Sequence, residues 1–344
     1  HAINGIANFV LARLIFVGYS GTSHARIISF REIASTLMIF FALATGLITL
    51  IFVSRSDFSE ADLRIRQDAT MVCREATKNI ENWLKDKESS VINLAGMAAT
   101  TPPDRMQQIL EQLRMSDKSF LRLALVDKEG ISIAYSPPID ARGASTIGRS
   151  FADRPYIPPL KQKLQPMLSE VIESRFGTPD PVVIMLAPVI SHDAYNGYVA
   201  GILDLERIRS ILETNATRDG MKFSLVDRNG AIILTSRKDQ NVMAPFSFGN
   251  GDLQRLDSRL AQWIPELTTG MSKIELCGKS FYVVESQVGK LAEWKLIVEQ
   301  PVAPFQKMLY DSYSLRFLVL FVVVVVLLIL AEFLSRRMVS TIQE

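Results

Sequence analysis

The sequence predicts an α+β chain in which a long N-terminal helix and two tandem antiparallel-sheet subdomains lie between two transmembrane helices. Three observations carry this expectation. Two uncharged apolar runs sit near the ends of the chain, an amphipathic stretch free of proline follows the first of them, and a turn signature occurs twice at a spacing of one hundred residues. The two copies read Leu125-Val126-Asp127-Lys128-Glu129-Gly130 and Leu225-Val226-Asp227-Arg228-Asn229-Gly230.

The first apolar run, Ile33 to Val53, has 21 residues without a charge. At about 1.5 Å per residue it spans roughly 30 Å of hydrocarbon. The second, Phe317 to Ala331, has 15 residues and is extended by Leu315, Phe333 and Leu334, with Arg316 and Glu332 expected near the interfaces. Its five consecutive valines give no amphipathic period, and Tyr310 and Tyr313 supply an aromatic belt on one side. Arg26 and Arg31 precede the first span and Arg336 and Arg337 follow the second, so both outer ends are expected on the cytoplasmic side. Residues from about 54 to 314 then face the other side. A further apolar stretch, Ala7 to Tyr19, is interrupted by Arg13 and reads as an interfacial helix or the remnant of an earlier span. The chain starts at His1 and stops at Glu344 soon after a span, which reads as a fragment of a longer protein.

Ser54 to Ala99 contains no proline, and Phe58, Ala61, Ile65, Ala69, Val72, Ala76, Ile80, Leu84, Val91 and Leu94 recur at helical spacing. A long amphipathic helix is expected to leave the membrane, its stripe buried either as core scaffold or along a second copy of itself. Thr100 to Pro103 end it, and DRMQQILEQLRM forms a shorter helix.

The duplicated turn marks the start of each sheet unit. Asp accepts a hydrogen bond from the backbone two residues on, and Gly supplies the positive φ that closes the hairpin. In the first unit a loop rich in Pro and Gly follows, then PYIPPLKQKL as a helical crossover, then strand candidates SEVIESRF, VVIMLAPVI and GYVAGILDL. The second unit repeats the hairpin and is expected to end in the strands MSKIELCG, KSFYVVESQV and WKLIVEQ, with AQWIPELTTG as a poorer middle section. The expected organisation is an N-terminal cytoplasmic or interfacial segment (1–32), a first span (33–53), a stalk helix and connector (54–119), two sheet subdomains (120–220 and 221–302), a helix entering the second span (303–334) and the start of a cytoplasmic linker (335–344).

Composition narrows the function classes. A net charge of +2 on 344 residues offers no field for nucleic acid, which is not expected as a partner. Cys73 and Cys277 are too few and too far apart for a disulfide framework or a Cys-rich metal site. The chain has no phosphate loop, HExxH, Cys-x-x-Cys or Gly-x-Ser-x-Gly, and its histidines are His1, His24 and His192. No catalytic residue, metal site or cofactor is expected within it.

Five strands with a central helical crossover describe a PAS-like sheet, and two such sheets behind a long helix between two spans resemble the double Cache sensor domain of bacterial transmembrane receptors. The stretches that carry the resemblance are Gly148 to Leu160 (GRSFADRPYIPPL), Pro181 to Val189 and Gly197 to Leu205, within roughly residues 54 to 314. In that family a motif of the form [FS]-x-D-R-x-Y opens the pocket helix of the membrane-distal subdomain, here Phe151, Asp153, Arg154 and Tyr156. The resemblance implies extracytoplasmic sensing of a small molecule, an amino acid or a simple carboxylate, with Arg154 and Tyr156 lining the pocket and Tyr135 and Asp204 as further candidates by position. The chemistry agrees, since a guanidinium forks onto a carboxylate and a phenol adds a hydrogen bond and an apolar wall. Read from the residues alone, Arg154 could instead pair with Asp153 or Glu206, and Tyr156 could be plain core. The receptor class further implies a bacterial inner-membrane protein that crosses twice, contacts lipid and forms a homodimer. The end FLSRRMVSTIQE resembles the linker of a histidine kinase, while a chemotaxis transducer, a cyclic-dinucleotide enzyme or an exported accessory domain would carry the same layout.

Overall fold

The computed structural model describes residues 8, 11–12, 14–16, 18–19, 30–176, 180–216, 220–266, 273–289 and 291–342. Two compact units emerge, one made of His1–Arg64 with Pro304–Glu344 and the other of Ile65–Ala303.

In the first unit, helix α1 (Phe30–Ala98) and the last helix, Ala303–Ile342, are each long and apolar enough to cross a membrane. Only 17% and 6% of their most apolar windows is buried, so these are not the core helices of a soluble domain. Ile39, Leu43 and Val324 are buried between them with Phe40, Leu47 and Leu320 packed alongside. Tyr313 donates its hydroxyl hydrogen to the Ser54 carbonyl at 2.8 Å, and Arg316 forms an ion pair with Asp57. The described residues between 8 and 19 are helical; Arg13, Arg26 and the rest of that N-terminal stretch lie outside the described residues.

In the second unit the expected stripe of α1 is buried at Ile65, Ala69, Ala76, Ile80, Leu84, Val91 and Leu94, with Cys73 buried in place of the expected Val72, which is half-buried. With buried Lys87 between Leu84 and Val91, these positions recur every three or four residues, so one face of the helix loses its water and tertiary packing holds a length that propensity alone would not. Burial pushes the Cys73 thiol up to about 12, which leaves it an inert packing residue. Further along, Glu81 accepts from the Gly289 amide at 2.6 Å. Lys87 then reaches Asp117 at 2.6 Å. Burial opposes the charge on Lys87, but its bonds to Asp117 and Asp86 outweigh that and hold its pKa above the ordinary lysine value. Cys73 Sγ also lies 3.8 Å from the Val284 carbonyl and Lys87 sits over the Phe120 ring, so the helix touches both sheets and acts as their common spine.

Helix α2 (Pro103–Ser116) begins with proline in its first turn, where no backbone N–H is needed. Strands β1 (Phe120–Asp127) and β2 (Ser132–Ser136) are joined by the first turn. Helix α3 (Ile157–Lys163), the short strands β3 (Met167–Leu168), β4 (Ile172–Glu173) and β5 (Pro181–Val182), and the long strands β6 (Ile184–Ser191) and β7 (Ala194–Leu203) complete the first sheet unit. The main sheet has the antiparallel order β2-β1-β7-β6-β3, while β4 and β5 pair apart from it. The strand expected over 169–176 is thus reduced to the two residues of β4.

Helix α4 (Leu205–Ala216) leads to the second sheet unit, built from β8 (Lys222–Val226), β9 (Ile232–Thr235), β10 (Gly251–Arg255), β11 (Leu260–Pro265), β12 (Phe281–Val288) and β13 (Trp294–Pro301). Its order is β10-β11-β12-β13-β8-β9, with helix α5 (Lys273–Lys279) before β12 and α6 (Ala303–Ile342) after β13. Here the sequence expectation needs correction. The strand anticipated at MSKIELCG is helix α5 over its described residues, and the neighbour of β12 is β11, from the stretch taken as a poor middle section. Glu, Leu and Lys favour a helix, while the Trp263-Ile264 pair suits a pleated surface.

The two turns agree atom by atom. Asp127 Oδ1 accepts from the Glu129 and Ile131 amides at 3.0 and 2.8 Å, and Asp227 Oδ1 accepts from Asn229 and Ala231 at 2.9 Å each. Gly130 and Gly230 hold φ of 88° and 80°.

Candidate functional site

The first sheet contains a hollow because its two smallest inward side chains face one another. Ala124 on β1 pairs directly with Ala200 on β7. Side chains two residues away on the same faces, Arg122 and Val126 on β1 and Tyr198 and Ile202 on β7, form the walls.

The first turn places the FADRPY segment over this hollow. Gly130 accepts from the Phe151 amide at 2.7 Å, and a side chain at Gly130 would lie 2.9 Å from the Ala152 backbone. Glycine at this point therefore serves both the hairpin and the docking of the motif. From Phe151 the chain turns tightly: Arg154 donates its amide to the Phe151 carbonyl at 2.9 Å, Ile157 donates to Arg154 at 3.1 Å, and α3 begins after Tyr156. Tyr135 is fixed from behind, since Gln107 on α2 donates to its carbonyl at 2.9 Å and accepts from its amide at 2.8 Å.

Three of the four residues singled out from the sequence, Tyr135, Arg154 and Tyr156, line one cavity. Asp204 does not. Its carboxylate accepts from the Glu206 amide at 3.1 Å and its own amide donates to Ser119 at 2.8 Å, so it caps the start of α4. The ion pairs weighed for Arg154 do not form among the described residues; Asp153 binds Arg175 at 2.5 Å instead.

The space open in the cavity is about 30 Å³, room for roughly two waters. Rings occupy the remainder. Tyr135 and Phe151 stack at 6.5 Å between centroids, Phe176 meets both edge-on at 5.1 and 5.7 Å, and Tyr156 and Tyr198 meet at 6.0 Å and 80°. Burial raises the pKa of Tyr135, although Arg122 beside it pulls the other way. Burial also raises Tyr156, and burial together with Tyr156 raises Tyr198. All three phenols are therefore neutral hydrogen-bonding groups in neutral water. Buried Arg154 Nε has no hydrogen-bond partner among the described residues, and the buried Tyr198 hydroxyl has only the Tyr156 hydroxyl beside it. An unpartnered buried atom costs free energy until a partner arrives, which marks a surface prepared for something polar.

Arg122, Arg175 and Tyr198 were not foreseen. The period-two pattern Arg122-x-Ala124-x-Val126 could have found the first, because an arginine in register with two inward residues faces the same hollow. Nothing local announces Arg175.

Among the described residues, aromatic rings pack together at the corresponding place in the second sheet. Gly230 accepts from the Phe246 amide at 3.0 Å, as Gly130 does from Phe151, but Phe246, Phe248, Trp263 and Phe281 pack together where the first sheet opens. Trp263 stacks on Phe281 at 4.6 Å and Phe246 meets Phe248 edge-on at 4.9 Å. Among the described residues no group of three His, Cys, Asp or Glu side chains converges as a metal set.

The family model described as a Cache domain matches residues 59–309. The chain belongs to the Cache domain family. Solved Cache-type neighbours share the fold. The ligand-binding domain of the Pseudomonas aeruginosa PAO1 amino acid chemoreceptor PctB, solved with L-Arg, aligns at TM-score 0.56 and 21% identity over 74% of this chain and 97% of that one. The ligand-binding domain of the Pseudomonas fluorescens chemoreceptor CtaA, solved with L-isoleucine, aligns at TM-score 0.55 and 19% identity over 73% and 98%. Against an extracellular ligand-binding receptor from Desulfohalobium retbaense, the match covers 67% of this chain and 39% of that one, at TM-score 0.49 and 16% identity. No curated protein matches the sequence. This Cache chain thus combines the double-sheet architecture with two flanking helices long and apolar enough to cross a membrane.

Proposed function

We propose that this Cache chain is the sensor region of a bacterial transmembrane receptor and that its first sheet unit (120–220), on the membrane-distal side, binds a small molecule through Arg154, Tyr156 and Tyr135. The observation that carries the reading is the asymmetry between the units. The first has a hollow walled by guanidiniums and phenols, whereas in the second, among the described residues, the aromatic rings of Phe246, Phe248, Trp263 and Phe281 pack together at the corresponding place. Binding shifts an equilibrium only through a difference in affinity between two packings. Opening a cavity of about 30 Å³ requires ring movement, which supplies that difference.

A route to the second unit lies next to the site. Tyr156 also borders a separate cavity of about 250 Å³, lined by Pro155, Pro159, Ser169, Glu170 and Arg228 among others. Across it Arg228 pairs with Glu170 at 3.5 Å, and the Val171 amide donates to Asp227 at 3.4 Å, both acceptor and guanidinium belonging to the second duplicated turn. Displacement of Tyr156 into this space presses on the turn that anchors β8. The second unit (221–302) ends at β13, and α6 follows after Val302. The spans at 33–53 and within 303–334 then hold the protein in the inner membrane with residues 54–314 outside the cytoplasm and the stalk of 54–119 pairing two copies. We read the output as a histidine kinase because FLSRRMVSTIQE resembles the linker of one, and a chemotaxis transducer fits the same sensor equally well. The coding sequence beyond Glu344 separates them, because a methyl-accepting coiled coil there refutes the kinase.

The sensor reading is tested by thermal unfolding of the full chain in lipid nanodiscs against amino acids, organic acids and amines. A compound at about one hundred times its Kd adds roughly 2.7 kcal/mol of stability. That gain is expected to vanish in Arg154→Ala. A compound that stabilises Arg154→Ala as much as the unaltered chain contradicts the assignment.

A further inference from the structure

We infer that the cavity of the first sheet takes an organic anion with two negative charges and no ammonium group, an inference that rests on reading this cavity as the ligand site. Arg122, Arg154 and Arg175 line it, and among the described residues no Asp or Glu does. Asp153, outside the lining, neutralises Arg175 at 2.5 Å. Arg122 and Arg154 meet no carboxylate among the described residues. Arg122 donates to Ser174 Oγ at 2.6 Å and to the Phe176 carbonyl at 3.1 Å, and Arg154 donates to the Glu173 carbonyl at 3.3 Å while its buried Nε has no acceptor.

The hydrogen bonds of both guanidiniums thus go to neutral oxygens, and Asp153 acts on Arg154 only at longer range. Both arginines are half-buried, and charge partly withdrawn from water is stabilised by opposite charge, with carboxylates matching the guanidinium fork. Both arginines hold the same short segment, Glu173 to Phe176, so their charged ends lie within reach of the two ends of one small diacid. The rings of Tyr135, Phe151 and Phe176 offer an apolar wall to the carbons between.

An ammonium group meets the opposite conditions. It needs a carboxylate or several desolvated acceptors, and the lining offers it guanidiniums and neutral phenols instead. This distinguishes the cavity from a site for an ordinary amino acid, whose ammonium would stand beside uncompensated positive charge.

The test is calorimetric titration of the full chain in nanodiscs with malonate, succinate, glutarate, L-alanine and putrescine. At least one diacid is expected to bind about tenfold or more tightly than L-alanine, with no binding of putrescine, and Arg122→Gln and Arg154→Gln are each expected to weaken the diacid by about tenfold or more. L-alanine or putrescine binding as tightly as the best diacid overturns the class, as does silence from all three diacids. The ranking on the unaltered chain decides this whether or not the arginine variants fold. Ala200→Phe, which fills the hollow, separates the two failures. If it abolishes binding of a preferred amino acid, the class falls and the site stands; diacid binding that survives it unchanged removes the site itself.

Discussion

Gly197→Ala is expected to destabilise the first sheet by about 3–5 kcal/mol, the largest cost of any single methyl in this unit. Gly197 lies on β7 opposite Asp127 with φ of 122°, a conformation costly for residues with a side chain. A Cβ there would stand 2.1 Å from the Val126 carbonyl oxygen and 3.0 Å from the Asp127 backbone. Both obstacles are main chain of the neighbouring strand β1, so relief requires parting β1 from β7. Gly96 provides the control. It sits within α1, where an added methyl would meet nothing within 4 Å, and Gly96→Ala should stabilise by up to about 1 kcal/mol. Chemical denaturation of both variants of the full chain checks the pair. A loss below about 1 kcal/mol at Gly197 contradicts the close β1–β7 approach.

The second large effect lies in the other sheet. Glu299 on β13 is 3% exposed, and Arg237, 10% exposed, reaches both its oxygens at 3.1 and 3.3 Å while also binding Asp239 at 2.7 Å. Burial raises the Glu299 pKa and Arg237 works against that rise. Arg237→Ala leaves a buried carboxylate alone, and about 3–5 kcal/mol of stability is expected to go with it. The sign of the pH dependence follows. A carboxyl whose folded pKa is raised favours the folded state while protonated, and that advantage fades as pH rises through the folded value. The loss in Arg237→Ala should therefore shrink as pH falls from about 8 toward about 5, since the uncompensated Glu299 takes up a proton. Replacing both partners, Arg237→Met with Glu299→Met, should recover most of the loss. Equal losses in the single and double variants, flat with pH, would show that the pair is not the cause.

Much of this architecture was legible because its signals are local. The duplicated Asp-x-x-Gly turns, the stripe from Ile65 to Leu94 and the two uncharged runs each state a period or a conformation within a few residues. The FADRPY stretch likewise pointed to Arg154 and Tyr156. What escaped depends on distance. Arg122 and Arg175 reach the same cavity from segments more than fifty residues apart, and only the sheet order brings them together. Asp204 looked like a pocket residue by its place after β7, but the start of α4 claims its carboxylate. Strand β10 is exposed along its whole length, so it carries no alternation of apolar and polar residues to announce it. The aromatic filling of the second hollow combines Phe246 and Phe248 with Trp263 and Phe281, two short patterns that mean little until β11 and β12 pair.

The central claim is that the first sheet, and not its duplicate, receives the ligand. Hydrogen exchange of the full chain in nanodiscs, with and without the compound that stabilises it most, tests this directly. The expected result is slowed exchange in β1, in the Phe151 to Leu160 segment, at Glu173 to Phe176 and in β7. Slowed exchange centred on Phe246, Phe248 and β11, with the first sheet unchanged, would contradict it.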